Sequence, residues 1–587
     1  MHLNKDIVLL ETLRKDKDNS QNLLFTDPVA IITCQKPADL QKCFRQMENY
    51  RRKGYYLAGF FAYELGYFLE ETLNPYCPKY DYPLLWFGVY NKPTGRLPDS
   101  SKHKDGYFYL SEPELAATYR QYEKAIHRIK TCIARGETYQ INFTSRYDFN
   151  FIGDIFSFYD RLKSNQQVSY SALIRHGGNT IISLSPELFF RVDAKQNIMV
   201  KPMKGTAPLS ASAHWLRHDM KNTSENVMIV DLLRNDLGRI CLPGSVKVIK
   251  LFEVEKYETL LQMTSTVTGR LKPKIKIFDM VESLFPCGSV TGAPKIQSMK
   301  IIRDLENEPR NIYTGAIGYF APDGQTVFNV AIRTIDFQGR KENKNQARMG
   351  IGGGIVYDSQ PQEEYAECRL KGQFLLNTMP EFALIETMLF TDGKIKYLNR
   401  HLRRLKKSAN YFSIPCSGDK IKTALNASAL KLTGNIRLRL LLKSGGDILI
   451  QHQPVAFRTV LSPLVVISQF KTNSGDPFLY HKTTHRKLYD DEFKKYSAQG
   501  YFDVLFRNEK MEFTEGAISN LFIRIKDRWY TPPISCGLLN GIARQGLMKK
   551  LHAREKILYV KDLKRADEIL LTNSVRGASL VTLNWSK

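Results

Sequence analysis

Between residues 115 and 133 the chain sets apolar side chains at 115, 119, 122, 126, 129 and 133. That three-four rhythm predicts an amphipathic helix. Ser111 with Glu114 predicts a capping box ahead of it, and Gly136 a stop. The following stretch, TYQINFTSRYDF, alternates as a half-buried strand does. Helices and mainly antiparallel strands continue on these rhythms to about residue 376. NTMPEFALIE then loses periodicity around a proline, which places a domain boundary near 378–384. Beyond it come a strand, the turn TDGK at 391–394, a strand and the basic helix NRHLRRLKKSANYF. A second break at 452–464, HQPVAFRTVLSP, separates two subdomains. The expected organisation is α+β: a domain over 1–378, with about 1–110 as an N-terminal subregion, and a domain over 384–587 split into 384–460 and 465–587.

Composition changes this picture little. At 587 residues the chain is too long for a single core, and 43% hydrophobic with 25% charged residues is ordinary for a globular protein. It has no apolar run of membrane-spanning length, and its start lacks the pattern of a secretory signal. The nine cysteines are scattered without CxxC pairs. Such usage argues against a disulfide framework or zinc site and for the reducing cytoplasm. The formal charge of +26 is spread along the chain without a zinc-finger or RRM signature. A basic surface on a protein that handles anionic metabolites is expected, with neither nucleic acid nor membrane as partner.

Candidate chemistry in the first domain sits in a few segments. SENVMIVDLLRNDLGRI (224–240) predicts a helix with Glu225 in its first turn. EEYAECRLKG (363–372) puts Glu364 and Glu367 on one helical face, with Lys371 a turn beyond Glu367. Carboxylates facing each other across a cleft are the hard oxygen donors that magnesium takes; each alone is equally a solvated helix residue. KPMKGT (201–206) sets Lys204 before Gly205 in a strand-to-turn region. That amine is either a surface charge or, if buried beside cations such as Lys201, a neutral nucleophile. CGSVTGAPK (287–295) and GIGGGIVYDS (350–359) are glycine-rich, and the latter fails the dinucleotide spacing at Ile355. Their glycines suit close approach of backbone N–H groups to an anion.

Together with SPELFF at 185–190, these segments in this order resemble the chorismate-utilising enzymes, over roughly residues 55–376. The resemblance implies large antiparallel sheets in a sandwich wrapped by helices, with magnesium-bound chorismate between them. It implies Glu225 and Glu367 as direct magnesium ligands, with Glu364 a carboxylate behind them. Tyr313 and Arg333 would hold the enolpyruvyl carboxylate, Gly352 and Gly354 would donate from the backbone, and Lys371 would contact substrate. Gln140 stands where isochorismate and salicylate synthases have a water-activating lysine, which disfavours water attack. Lys204 stands where anthranilate synthases typically read P-I-A-G-T. A lysine there resembles the aminodeoxychorismate synthases, in which it adds covalently to the ring and ammonia then displaces the C4 substituent. Glu187 matches the acid/base carboxylate that serves the departing hydroxyl. LLET at 9–12 is close to the L-L-E-S of tryptophan-inhibited anthranilate synthases and suggests at most a vestigial tryptophan pocket. None of the nine cysteines sits in a G-x-C-x-G elbow, so a separate glutamine amidotransferase subunit, with free ammonia as fallback, is the expected nitrogen source.

In the second domain His481 and His485 have an i, i+4 zinc spacing, but the Glu of H-E-x-x-H and a third ligand are missing. Lys482 between them gains meaning from HLRRL (401–405), FTEGAISNLFI (513–523), GLLNGIARQGL (537–547) and LLTNSVRG (570–577). This set resembles the fold-type IV pyridoxal-phosphate enzymes, over about 384–583. The resemblance implies Lys482 as the Schiff-base lysine and Glu515 as the partner of the pyridine nitrogen. Arg404, Ile542, Ala543 and Thr572 would form the phosphate cup, and Asn520 a structural support. Stand-alone members carry a longer lead-in before the segment matching ETMLFTDGK, so their first strands are unaccounted for here; a homodimer through this domain is a further expectation. The two resemblances join in one expected function, p-aminobenzoate synthesis: amination of chorismate, then pyridoxal-phosphate-dependent elimination of pyruvate. The alternatives are an anthranilate or aminodeoxychorismate synthase whose second domain is an aminotransferase or a non-catalytic module.

Overall fold

The computed structural model describes residues 6–14, 22–94, 108–208, 212–256, 260–341, 344–376, 382–430, 432–455 and 463–585. Two compact units emerge: Met1–Lys102 with Pro113–Asn150 and Tyr159–Thr378, and His103–Glu112 with Phe151–Phe158 and Met379–Lys587. Unit two thus takes two short stretches that periodicity places with the first domain. No helix among the described residues is long and apolar enough to cross a membrane.

Unit one is built on two large antiparallel sheets. The first runs in the order Gly292–Ala293, Gln140–Gly153, Lys344–Ile355, Thr334–Lys341, Asn179–Ser185, Tyr170–His176, Ile7–Glu11, Leu23–Thr26. The second runs from Met203–Pro208 through Leu260–Arg270, Asn197–Lys201, Leu188–Val192, Thr326–Val330, Ala316–Phe320, Tyr56–Phe61 and Leu85–Tyr90 to Ala30–Cys34. Val8, Phe25, Ile174 and Ile181 of the first sheet pack on Ala58, Phe60 and Ile317 of the second, so the inner faces share one core. The outer face of the second sheet is covered by the helices Leu40–Arg52, Met220–Ile240 and Ile277–Leu284, through Phe44, Met47, Ile229, Leu233, Met280 and Leu284. This is the expected sandwich wrapped by helices.

Unit two contains a four-stranded antiparallel sheet, in the order Lys394–Ile395, Ala383–Thr391, Ile436–Lys443, Ile448–Pro454. Its core face meets the helix Leu398–Phe412 through Leu405, Ala409 and Phe412, and Tyr109 and Ile152 belong to the same cluster. A second sheet of eight strands is mixed, with Leu464–Thr472 parallel to both Asp503–Asn508 and Gly577–Leu583. Most of the expected linker at 452–464 lies outside the described residues.

Three local expectations change. The helix predicted after Ser111 is Tyr119–Ala134, and its capping box is Thr118 with Gln121. Glu114 and Leu115 pair instead with Asp148 and Tyr147 as a short strand, which removes them from the helix. Tyr122, Ile126 and Ile129 form its buried face as the rhythm requires. The helix carrying Glu225 is Met220–Ile240, begun by the Asp219 side chain accepting from Asn222 N, so Glu225 lies in the second turn. KPMKGT does not pass from strand into turn: beyond Pro202, Met203–Pro208 is a further strand.

Candidate active sites

In unit one Met203 pairs with Thr264 and Thr206 with Gln262, so Lys204 and Gly205 face a single partner residue and form a bulge. Gly205 holds φ +91°, open to glycine and strained for other residues. A bulge re-aims the side chain it carries. Lys204 is aimed at Gly354, where an added Cβ would lie 2.7 Å from Lys204 Nζ and 2.2 Å from Gln140 Nε2. Gln140 is 1% exposed, and neither atom of its amide has a hydrogen-bond partner. Glu187 completes the group: it is buried, accepts from Ser289 Oγ at 2.7 Å, and feels the Lys204 charge. Burial pushes its carboxyl up to about 7, against the pull of Ser289, Lys204 and the Met203 backbone. The cation expected beside Lys204 is otherwise engaged, since Lys201 is ion-paired with Glu255.

The remaining candidates line neighbouring backbone. Lys371 Nζ donates to Gly352 O at 2.9 Å and pairs with Glu367 Oε1 at 2.8 Å. Glu364 is buried and accepts from Ser359 Oγ at 2.7 Å; a Cβ on Gly353 would sit 3.4 Å from Glu364 Oε2 and 3.7 Å from Lys371 Nζ. The Tyr313 ring lies against Gly350, leaving no space for a side chain there. Arg333 adopts φ 50°, an uncommon conformation for a non-glycine residue. The two segments adjoin, Thr314 N donating to Ala331 O and Ala331 N to Gly315 O, both at 2.9 Å. Asn222 of the Glu225 helix touches the bulge, 3.1 Å from a Cβ built on Gly205. Among the described residues no three acidic, His or Cys side chains converge as a preformed metal cage. Helix carboxylates steadied by Lys371 and Ser359 nonetheless fit magnesium, which is commonly held by one or two carboxylates plus substrate oxygens.

Where LLET closes the strand Ile7–Glu11, with Thr12 just beyond it, a cavity of about 40 Å³ is lined by Leu10, Glu11, Thr12, Tyr170, Gly318 and Asn329. A dry cavity that takes benzene is about 150 Å³, so an indole would need this one to open.

In unit two the Lys482 segment runs beside the strand Ala383–Thr391, Ile385 N donating to Lys482 O at 2.8 Å. Lys482 is half-buried. Burial, then the charges of Arg486 and Arg404, bring its amine down to about 7, against Glu386 and Glu515. Arg404 donates to Glu386 from Nε at 2.9 Å and Nη2 at 2.7 Å. Burial opposes a charged Glu386, but the Arg404 charge and the His401 and Arg404 hydrogen bonds hold its pKa below the usual range. Glu515 accepts from Leu539 N at 3.2 Å and Asn520 Nδ2 at 3.0 Å, and burial pushes it up to about 8. Asn520 also donates to Leu539 O at 2.9 Å and pairs across strands with Thr572. The helix Ile542–Lys550 opens at Gly541 without a side-chain cap, so the first N–H groups at Ile542 and Ala543 suit an anion. These features fit pyridoxal phosphate: an amine of lowered pKa, a half-buried carboxyl for the ring nitrogen, and a helix N-terminus with Arg404 for the phosphate.

The two histidines do not share a helix, which starts only at Lys487. His481 Nδ1 meets Ser408 Oγ at 2.9 Å and stacks on Tyr411, while His485 packs on Phe478. Sequence reasoning passed over Ser289, Arg486 and Glu386. Ser289 lies inside CGSVTGAPK, where only the glycines draw attention; Glu386 opens ETMLFTDGK and Arg486 follows His485, and both show their part only through their charges beside Lys482.

Comparison with known proteins places both halves. The profile of amino-transferase class IV matches residues 383–583. Aminodeoxychorismate synthase component 1 of Salmonella typhimurium is 37% identical over 254 residues, 42% of this chain but only 55% of that protein. Anthranilate synthase component 1 of Methanothermobacter thermautotrophicus is 32% identical over 348 residues, 55% of this chain and 74% of that protein. The crystal structure of anthranilate synthase component I from Streptococcus pneumoniae superposes with TM-score 0.52 at 26% identity, covering 61% of this chain and 92% of that one. The profile of chorismate binding enzymes matches residues 8–377, and with the sandwich and the Lys204–Glu187 site on it the chain belongs to that family.

Proposed function

We propose that the chain makes p-aminobenzoate in two steps, amination of chorismate to 4-amino-4-deoxychorismate in unit one and elimination of pyruvate in unit two. The observation that carries the reading is the bulge that sets Lys204 beside Glu187 and Gln140. In the first step Lys204 Nζ forms a bond to the ring while the C4–O bond breaks, and the hydroxyl leaves as water with the proton of Glu187. Ammonia then bonds at C4 and the lysine amine departs. Tyr313 and Arg333 orient the enolpyruvyl carboxylate, and the backbone at Gly352 and Gly354 lets the ring approach. Magnesium, held by Glu225 and Glu367 with Glu364 behind them, would neutralise substrate carboxylate charge. The ammonia comes from a separate glutamine amidotransferase subunit.

In unit two, pyridoxal phosphate supplies an electron sink. Lys482 Nζ removes the proton at C4, the C3–O bond breaks, and the enolpyruvyl group leaves as pyruvate while the ring becomes aromatic. Glu515, held by Asn520 and Leu539, keeps a proton available to the pyridine nitrogen. Arg404, Thr572 and the amides of Ile542 and Ala543 bind the phosphate.

The test is a product assay with chorismate, an ammonium salt, magnesium and the cofactor. The wild type is expected to form p-aminobenzoate and pyruvate in equal amounts. Lys204→Ala should stop chorismate consumption, and Lys482→Ala should let 4-amino-4-deoxychorismate accumulate. Accumulation of anthranilate would overturn the reading in favour of the activity named for the Methanothermobacter relative.

A further inference from the structure

We propose that Ser289, backed by Cys287, is the positioning residue that governs when Glu187 carries its proton. This rests on the amination reading, in which Glu187 protonates the departing hydroxyl. Ser289 Oγ lies 2.7 Å from Glu187 Oε1, and Cys287 Sγ lies 3.2 Å from Ser289 Oγ. All three are buried, at 3% exposure for Glu187 and 4% for each of the others, so water does not compete for these contacts.

The turn that presents Ser289 is fixed from both sides. Val290 N and Thr291 Oγ1 both donate to Cys287 O, at 3.3 and 2.8 Å. Gly288 abuts the helix Met220–Ile240 so closely that a Cβ there would meet Leu232 Cδ2 at 2.3 Å. A serine hydroxyl has one proton to give and two lone pairs to accept with. When Glu187 is charged, Ser289 donates to it and takes the Cys287 S–H in return. When Glu187 is protonated, the carboxyl donates to Ser289 and Ser289 to the Cys287 sulfur. Either protonation state therefore leaves the chain of three satisfied, with the bonds running in opposite senses.

The two states differ in strength. A hydroxyl donating to a carboxylate is charge-assisted, whereas a thiol is a weak donor and a weak acceptor. Ser289 thus favours the charged form and offsets the burial that drives Glu187 upward. The other groups facing Glu187 are the Lys204 amine and the Met203 N–H, from the strand Met203–Pro208. Lys295, which bears on Cys287, is paired with Asp236 at 2.8 Å. A group that releases a proton in each turnover works best with its pKa near the ambient pH, and Ser289 is the neutral neighbour that brings Glu187 there.

The test is the pH dependence of chorismate consumption with ammonia, taken as the ratio of variant to wild type so that titration of ammonia cancels. Because Glu187 must be protonated to act, the wild-type rate falls on the alkaline side. Loss of the Ser289 hydroxyl should raise the Glu187 pKa and carry that limb about one pH unit upward, with the optimal rate down about tenfold. Ser289→Ala and Ser289→Gly should both do so, Ser289→Thr should restore the limb, and Cys287→Ala should move it by less in the same direction. A lower rate with an unmoved limb in the Ala and Gly variants would overturn the inference and leave the amination reading intact. A wild type that consumes no chorismate overturns both.

Discussion

Burial moves Lys482 and Glu515 in opposite directions, the amine down to about 7 and the carboxyl up to about 8. Near neutral pH this sets an amine that loses its charge beside a protonatable carboxyl, the pairing that the proposed capture of a charged aldehyde cofactor requires. Capture of pyridoxal phosphate by the cofactor-free protein, followed by visible absorbance, should therefore speed up as pH rises through about 7 and level off above it. Arg486 is the largest charge working against a protonated Lys482. Arg486→Leu relieves that repulsion, raises the amine's pKa and should move the midpoint up by about half a unit to one unit. Lys482 and Glu515 are legible in the sequence because motif strings carry them. Arg486 is not, because its part depends on a chain that only becomes helical one residue later.

At the scale of elements, the bulge at Lys204 and Gly205 sets where the Lys204 amine, the proposed reacting group, stands. Gly205→Ala would force a side chain into φ +91° and bring it 3.1 Å from Asn222. Amination should fall about a hundredfold, as expected when a reacting group is displaced by about an ångström. Formation of p-aminobenzoate from supplied 4-amino-4-deoxychorismate should be unchanged, an internal control read in the same tube. The bulge was invisible in the sequence because alternation identifies strands but not a residue inserted into one; KPMKGT reads as a strand-to-turn region for that reason. Periodicity did better with helices. Tyr122, Ile126 and Ile129 are buried as their spacing requires, and Pro361–Leu376 carries Glu364, Glu367 and Lys371 as read. Caps were less legible: Ser111 with Glu114 fits the capping pattern, yet pairing of Glu114 with Asp148 outweighs it.

For the whole molecule, the proposed chemistry divides nitrogen supply from nitrogen use. The purified chain should form p-aminobenzoate from chorismate with an ammonium salt and fail with glutamine until a glutamine amidotransferase is added, the product being followed by chromatography. Glutamine-supported turnover by the chain alone would refute that division. The joining of two families was legible because each keeps its reactive strings in order. The makeup of unit two was not, since its core includes Tyr109 and Ile152 from the far side of the apparent boundary. Nothing local marks those residues as anything but strand.

The Tyr109 hydroxyl donates to Phe412 O at 2.8 Å, across 303 residues of sequence. On the ribosome these partners emerge about 15–60 s apart at ordinary rates of synthesis. Throughout that interval the nascent chain carries an aromatic plug whose socket has not been made. A gene divided at the apparent boundary would deliver the plug and the socket on separate polypeptides.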